Sequence, residues 1–385
     1  MGGTGERRVL IVAGEASGDR HAARVVQGLR SLGPCRVRGV TGPALEGAGA
    51  ERAAAMEDLA VIGFTGVLAR LPRIWRTWRR LLAEAARFQP HAALLVDSPG
   101  FNFRIGPALH ARGIPVFYYI APQVWAWHRE RAAQMARWVD RLAVVFPFEE
   151  PLFRAAGVTT RFVGHPLLED LEPEVDAARF RSELGLAPGP TRLVGLLPGS
   201  RRGEFRAHAP VMIEAVRILR ADRERHGGAP LAVALALAPG LEPDAATALD
   251  LERAGVRLVR GRTRALQATA DCCAVASGTA TLETALFGTP LVVIYRTGWL
   301  NYAYARRMVR LTRIGLPNIV AGHEVAPELI QAALTPERLA ATLAPWLDDP
   351  EANAAQRRGL AVVRERLGGA GAAARAAALL WSLAA

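Results

Sequence analysis

The stretch Arg192–Glu204, RLVGLLPGSRRGE, is a short aliphatic run that ends in Pro198-Gly199 and passes through a serine and two arginines into a helical pattern. An apolar run of strand length, a tight glycine turn and a helix make one βα unit, and units of this kind build parallel sheets covered by helices. The same alternation continues in both directions. Upstream the candidate strands are Arg8–Ala13, Arg36–Val40, Ala92–Val96, Pro115–Ile120, Arg141–Val145 and Thr160–Val163. From Arg192 onward they are Arg192–Leu197, Leu231–Ala238, Val256–Val259, Cys273–Ala276 and Pro290–Tyr295. The sequence therefore predicts an α/β protein with two doubly wound, Rossmann-like sheets. His165-Pro166 ends a strand, and Ala187-Pro188-Gly189-Pro190 breaks the chain before the next one. These breaks place a first domain at 1–165, a linker at 166–190 and a second domain at 191–345. Residues 346–385 read as terminal helices packing back across the domains, the last of them alanine-rich and closed by Leu379, Leu380, Trp381 and Leu383.

A chain of 385 residues that is 51% apolar and 22% charged folds as a globular, enzyme-sized protein. Its 48 basic residues are all arginine and exceed 36 acidic ones, for a net charge of +12. Without lysine there is no Walker A phosphate loop and no lysine Schiff base. A guanidinium surplus favours anionic partners. Cys35, Cys272 and Cys273 cannot make a disulfide framework and have neither redox nor zinc spacing, so a reducing cytosol is expected. The N-terminus lacks the pattern of a signal peptide. The longest aliphatic run, Leu231–Ala238, falls far short of the roughly 20 residues that span a bilayer. The expected location is cytoplasmic, at most peripheral to a membrane. No histidine has ligand spacing, so no metal is expected, and no GxSxG elbow is present.

Four turns at strand ends carry candidate chemistry. After the first strand, Gly14-Glu15-Ala16-Ser17-Gly18-Asp19 places backbone N–H groups at a helix N-terminus, where an anion is favoured. The spacing is not GxGxxG, and no acid follows Val40 to hold a ribose, which weakens a dinucleotide reading. Asp19 or Ser17 reads equally as a helix cap, whereas Glu15 sits where open sheets bind ligands. The third strand ends in Val96-Asp97-Ser98-Pro99-Gly100-Phe101-Asn102. Asp97 there is a candidate general base, and an Asx-turn residue is the alternative. The turn Pro198–Glu204 reads as a diphosphate site: Ser200 supplies a hydroxyl, Arg201 a bidentate fork, and free N–H groups add to both. The turn Ser277-Gly278-Thr279-Ala280-Thr281-Leu282-Glu283 lets a phosphate reach the backbone. Glu283 is placed to take two ribose hydroxyls, or else to satisfy the helix macrodipole.

A different signal runs from Arg70 to Phe88. Ile74, Trp75, Trp78, Leu81, Leu82, Ala85 and Phe88 recur at helical spacing, with Arg73, Arg76, Arg79, Arg80 and Arg87 between them. A basic amphipathic helix with tryptophans suits a membrane interface, and ordinary core packing is the alternative. Upstream, Val61–Leu68 extends the apolar surface without charge. The cluster from Tyr118 to His128 lines an acyl pocket or joins the core. His165 and His128 are further polar candidates.

Taken in order, AGEASGD (13–19), GFTGVL (63–68), VDSPGFN (96–102), YYIAPQVWAW (118–127), FPFE (146–149), VGHPL (163–167), LLPGSRRGE (196–204), SGTATLE (277–283) and LPNIVAG (316–322) with Glu324 resemble the lipid-A-disaccharide synthases. The resemblance spans nearly the whole chain. It implies a GT-B architecture with the active-site cleft between the two domains. It also implies an inverting transfer from UDP-2,3-diacylglucosamine to the 6-hydroxyl of 2,3-diacylglucosamine 1-phosphate, with no cofactor. Asp97 would be the base, with Glu15 the rival for that role. Ser200, Arg201, Gly278, Thr279, Thr281 and Glu283 would hold UDP, and the LPN segment adds Asn318 and Glu324 near the donor. Ser17, Asn102 and Gln123 would face the acceptor. Phe64, Val67, Leu68, Trp75 and Trp78, with Arg76, Arg79 and Arg80, would form an acyl and membrane surface on the cytoplasmic leaflet of the inner membrane. Gly100 stands where an acid would be familiar and contributes no charge. The rival readings are another glycosyltransferase or a UDP-sugar 2-epimerase of the same architecture. A nucleic-acid binder would explain the charge without any cleft, and nucleic acid is not an expected partner. The oligomeric state is not legible.

Overall fold

The computed structural model describes residues 6–59, 67–125, 130–171, 176–186, 189–298 and 313–385, with the backbone alone for 67–71. Phe64 and His128 lie outside the described residues, as do the side chains of Val67 and Leu68. The chain divides into two compact units, Met1–Glu169 with Leu367–Ala385, and Asp170–Arg366.

The first unit holds β1 (Arg7–Ala13), β2 (Cys35–Thr41), β3 (Glu51–Ala55), β4 (Ala92–Val96), β5 (Val116–Tyr119), β6 (Arg141–Val144) and β7 (Thr160–Phe162). They pair in the order β3-β2-β1-β4-β5-β6-β7, all parallel. The second unit holds β8 (Arg192–Leu197), β9 (Leu231–Leu237), β10 (Val256–Arg260), β11 (Cys272–Ala276), β12 (Leu291–Tyr295) and β13 (Glu328–Ile330). Their order is β10-β9-β8-β11-β12-β13, again all parallel. Continuous aliphatic runs form the central strands because helices cover both faces, and Leu10, Ile11, Val12, Leu94 and Leu95 are fully buried. The two strands not read from sequence, β3 and β13, are short edge strands. One is ERAAA, which lacks β-branched residues, and the other is three residues long.

Strand order reverses between β1 and β4 in one sheet and between β8 and β11 in the other. Loops leaving two such neighbours turn to opposite faces and leave a crevice at the carboxyl edge, where open α/β sheets bind ligands. The four turns singled out in the sequence follow these four strands.

The last helix, Ala372–Leu383, belongs to the first unit and lies along the first helix, Ala16–Leu32. Its buried face is Ala373, Ala376, Ala377 and Leu380, and small side chains permit that close approach. Arg7 lies over the Trp381 ring, 3.8 Å from its centroid, and the Arg375 Nε donates to the Val163 carbonyl at 2.8 Å. The helix Pro350–Arg366 belongs to the second unit, so the chain returns to the first at Leu367. Short helices, Leu167–Asp170 and Ala177–Glu183, occupy part of the stretch read as linker. No described helix is long and apolar enough to cross a membrane.

Asp19 caps neither end of its own helix. That helix has Glu15 at its N-cap with no side-chain bond. The Asp19 carboxylate, 2% exposed, accepts from Gly42 N (2.8 Å), Ala44 N (2.8 Å) and Leu45 N (3.3 Å), capping the next helix, Pro43–Gly47. It ties the turn after β2 to the helix after β1, in place of the ribose-binding acid missing there. Asp19→Ala leaves three N–H groups without their acceptor and is expected to destabilise the fold by about 2–4 kcal/mol. Urea titration followed by circular dichroism checks this.

Candidate functional site

In the first unit the carboxyl edge gathers the turns after β1, β4, β5 and β6. Gly14 lies against Ser98: a Cβ at Gly14 would sit 2.6 Å from Ser98 Oγ, so only glycine lets the β1 and β4 turns meet. Asp97 and Ser98 both adopt left-handed backbone, with φ of 47° and 44°, and Ile120 after β5 does so at 65°. Such conformations cost on the order of 1–3 kcal/mol each and persist where surroundings impose them. The surroundings here are explicit. The Asp97 carbonyl accepts from Asn102 Nδ2 (2.6 Å) and from the Tyr118 hydroxyl (2.5 Å), while Asn102 Nδ2 also reaches the Val96 carbonyl at 3.3 Å. Burial raises the Tyr118 hydroxyl's pKa and keeps it a donor. Asn102 is thus fully buried and holds Asp97.

Asp97 is half-buried and its pKa is pushed up to about 6, first by desolvation and then by the Glu15 carboxylate, against a backbone hydrogen bond from Ser98. Two acids from adjacent strands therefore meet at the reversal of the first sheet. Because the folded value exceeds the ordinary 3.8, the native state holds this proton more tightly than the unfolded chain does. That contribution is present below 3.8 and is lost as pH rises through about 6. Ser98 Oγ is buried and takes no hydrogen bond from the described residues. Glu15 and Gln123 are exposed and Ser17 is half-buried.

Glu149, in the segment FPFE, is 1% exposed and accepts from Trp125 Nε1 (3.0 Å) and Phe146 N (3.1 Å). Burial raises it to about 8. It joins the turns after β5 and β6. His165 packs on Phe146 with ring centroids 5.0 Å apart, accepts from Leu167 N, and is pushed down to about 3 by burial and by nearby His21, so it is a neutral core residue.

The helix Val67–Phe88 divides along its length. Leu81, Leu82, Ala85 and Phe88 are buried in the core, whereas Trp75 is 55% exposed and stacks under Arg79 at 4.7 Å. Arg76, Arg79 and Arg80 are exposed. Between this helix and Pro99–His110, which has Ser98 as its N-cap, lies a hollow of about 660 Å³ lined by Pro72, Ile74, Trp75, Trp78, Phe101 and Arg104.

The second unit builds a matching edge. Gly199 has a φ of 109° and starts the turn, and Arg201 is the N-cap of the helix Arg202–His226. Two of the turn's N–H groups, which the sequence predicts to be free, are engaged. Ser200 N and Arg201 N donate to Glu204 Oε2 at 3.2 and 3.3 Å, and Arg201 Nη1 pairs with Glu204 Oε1 at 2.8 Å. A capping carboxylate thus occupies, through long bonds, the position an anion would take. The Arg201 side chain is 83% exposed. Gly278 and Thr279 lie exposed at the start of the helix Thr279–Leu286. Thr281, by contrast, is fully buried with its hydroxyl donated to the Gly278 carbonyl at 2.7 Å, so it shapes the turn and offers no ligand contact. Glu283 pairs with Arg264 at 3.1 Å.

Two buried side chains hold this edge together, His208, which the sequence did not single out, and Asn318. His208 is fully buried, its Nδ1 on the Pro198 carbonyl (2.7 Å) and its Nε2 accepting from Arg296 N (2.8 Å), so it links the turns after β8 and β12. Desolvation lowers its pKa and keeps it neutral. A histidine on the apolar face with Phe205 and Met212 was the available signal. Asn318 is fully buried and uses both ends of its amide. Nδ2 donates to the Ala326 carbonyl (2.7 Å) and Glu328 Oε1 (2.8 Å), and Oδ1 accepts from Val325 N (2.7 Å) and Ala326 N (2.9 Å). The residue that the sequence places near the donor fixes the turn that carries the exposed Glu324. Ser277 Oγ donates to the Ile314 carbonyl at 3.1 Å and brings that segment to the β11 turn.

The sequence matches the family model described as Lipid-A-disaccharide synthetase over residues 9–378. The chain belongs to this family. It is 45% identical to the lipid-A-disaccharide synthase of Anaeromyxobacter dehalogenans (strain 2CP-C), over 96% of either chain. It is 44% identical to that of Syntrophus aciditrophicus (strain SB), over 97% of either chain. As a lipid-A-disaccharide synthase family member it is a glycosyltransferase. Among solved structures the fold is similar to a putative UDP-N-acetylglucosamine 2-epimerase from Listeria monocytogenes (TM-score 0.65, 14% identity, 98% of this chain and 96% of that one). It is also similar to Acinetobacter baumannii MurG (TM-score 0.58, 16% identity, 98% and 100%). At these identities the likeness is one of fold, two Rossmann-like units of the GT-B class.

Removing the Glu15 charge is expected to lower the Asp97 pKa from its value near 6, because a like charge that disfavours ionisation is gone. Carboxyl-carbon NMR titration of Glu15→Gln checks this. An unmoved Asp97 resonance would mean that burial alone sets the shift.

Proposed function

We propose that the chain transfers 2,3-diacylglucosamine from UDP to the 6-hydroxyl of 2,3-diacylglucosamine 1-phosphate, giving a β-1,6-linked disaccharide 1-phosphate and UDP. The observation that carries the reading is Asp97, a strained, half-buried carboxyl with a pKa near 6 at the reversal point of the first sheet. An α-linked donor giving a β-linked product requires one displacement with inversion. The bond from sugar C1 to the diphosphate breaks as the bond from C1 to the acceptor oxygen forms, the acceptor proton goes to a base, and the diphosphate leaves with its electron pair. At neutral pH Asp97 is mostly ionised, yet basic enough to draw the proton in the transition state. Glu15 keeps that basicity up by its charge.

Charge developing on the leaving diphosphate falls to the second unit. Arg201 is exposed and can bind phosphate oxygens as a fork, with Ser200 and the backbone of Gly278 and Thr279 beside it. The arriving diphosphate competes with Glu204 for the turn. Glu283 takes the ribose hydroxyls, and Asn318 presents Glu324 by holding its turn. Arginine in place of lysine suits this chemistry, because the task is to bind phosphate and no covalent amine is needed. An epimerase shares the fold, but the family match favours transfer to an acceptor.

For the lipid part, the hollow beside Trp75 and Trp78 abuts the helix Pro99–His110 that follows the Asp97 turn, so it suits an acyl chain of the acceptor. The exposed Trp75 with Arg76, Arg79 and Arg80 suits a peripheral site on the anionic cytoplasmic leaflet of the inner membrane.

Asp97→Asn is expected to lower turnover by about 10²–10⁴-fold with little change in UDP affinity. Arg201→Ala should weaken UDP binding and lower the rate together. Acceptor-dependent UDP release in detergent, with calorimetric titration of UDP, measures both. Near-normal turnover in the Asp97 variant removes it from the base role. Reversing Arg76, Arg79 and Arg80 to Glu is expected to reduce binding to anionic liposomes at low salt, as read by flotation. Unchanged binding would leave that helix with a packing role only.

A further inference from the structure

Arg264 is the second residue of the helix Thr263–Thr269, and its guanidinium bridges two places in the second unit. Nη1 donates to the Asp170 carbonyl at 2.8 Å, where the chain enters this unit, and Nη2 donates to Glu283 Oε1 at 3.1 Å. The bridge is set by buried packing. From the same helix, Gln267 Nε2 donates to the Ala280 carbonyl (3.0 Å) and to Thr284 Oγ1 (2.9 Å), and the Thr289 hydroxyl donates to the Gln267 carbonyl (2.6 Å). Gln267, Thr284 and Thr289 are all buried, so the helix bearing Arg264 is held in register against the helix bearing Glu283. The Glu283 side chain is 17% exposed and that of Arg264 44%, so the carboxylate is the recessed partner and the arginine covers it from one side. One carboxylate oxygen is taken up by the arginine, and the other takes no hydrogen bond from the described residues.

We propose that Arg264 is a positioning residue for a nucleoside diphosphate: by anchoring Glu283 through Oε1 it aims Oε2 at the ribose hydroxyls. This rests on the ribose role of Glu283 proposed above. A carboxylate free to rotate spreads its bond over many orientations, whereas one held at Oε1 by an arginine that is itself anchored elsewhere meets a diol in fewer. The anchoring at Asp170 matters equally, because it stops the long arginine side chain from following Glu283. The physical signature is selectivity for the hydroxyl that the carboxylate receives, beyond affinity as such.

The test is calorimetric titration of UDP and of 2′-deoxyuridine diphosphate into the wild type, Arg264→Ala, Arg264→Lys and Glu283→Ala. A hydroxyl donated to a carboxylate makes the wild type prefer UDP by about tenfold. Arg264→Ala is expected to cut that preference to within about twofold, and Arg264→Lys, which keeps a cation beside Oε1, to restore most of it. The ratio compares two ligands on the same protein, so a smaller folded fraction lowers both signals and leaves it unchanged. If Arg264→Ala keeps the wild-type preference while Glu283→Ala loses it, the positioning role is wrong and the ribose role stands. If Glu283→Ala keeps the preference, or the wild type has none, both fail.

Discussion

The rest of the structure depends on the reversal of strand order at the centre of each sheet. A parallel sheet buried on both faces offers a ligand nothing along its strands, which are aliphatic and sealed by helices. Only where neighbouring strands send their connections to opposite faces does the carboxyl edge open. In this chain that happens between β1 and β4 and again between β8 and β11. Two acids converge at the first reversal, and two glycine turns with an exposed arginine converge at the second. The division matches the proposed chemistry, which asks for a base for the acceptor on one sheet and an anion-holding edge on the other.

Carboxyl-edge turns are irregular, and irregular backbone needs partners. Buried polar side chains supply them. Asn102 and Tyr118 hold the Asp97 carbonyl, Glu149 joins the turns after β5 and β6, and His208 links those after β8 and β12. Asp19 caps the turn after β2, and Asn318 closes the turn that carries Glu324. Each is recessed and bonds to at least one backbone group, which is how buried polar side chains are usually accommodated. They rigidify loops that would otherwise sample many conformations, and they leave Glu15, Arg201 and Gly278 exposed at the carboxyl edges. Glu204 shows the same economy from the other side, since a carboxylate of the chain itself occupies the anion position at a helix N-terminus.

Much of this was legible in the sequence. Eleven of the strands stand out as aliphatic runs, and the four turns stand out by glycine, proline and charge. The side chains whose partners the sequence does not reveal share one cause. Asn318, Thr281 and Asp19 carry the same functional groups whether they face a ligand or a backbone N–H, and sequence spacing does not distinguish the two. The edge strand β3, built from Glu, Arg and Ala, gives no hydrophobic period because only part of it is covered.

By itself the sequence determined the two-sheet α/β class, the location of the strand ends, the arginine-only basic chemistry and the family. These are local or compositional properties, set by runs of a few residues or by the order of motifs. Tertiary structure alone decided which acids are recessed, which turns touch, and which polar side chains are already spent. The Asp97 pKa depends on Glu15 some eighty residues earlier in the chain, and the setting of Glu283 depends on Arg264 and Asp170. Burial and the distance between charges are properties of packed neighbours, and a linear chain does not specify them until it folds.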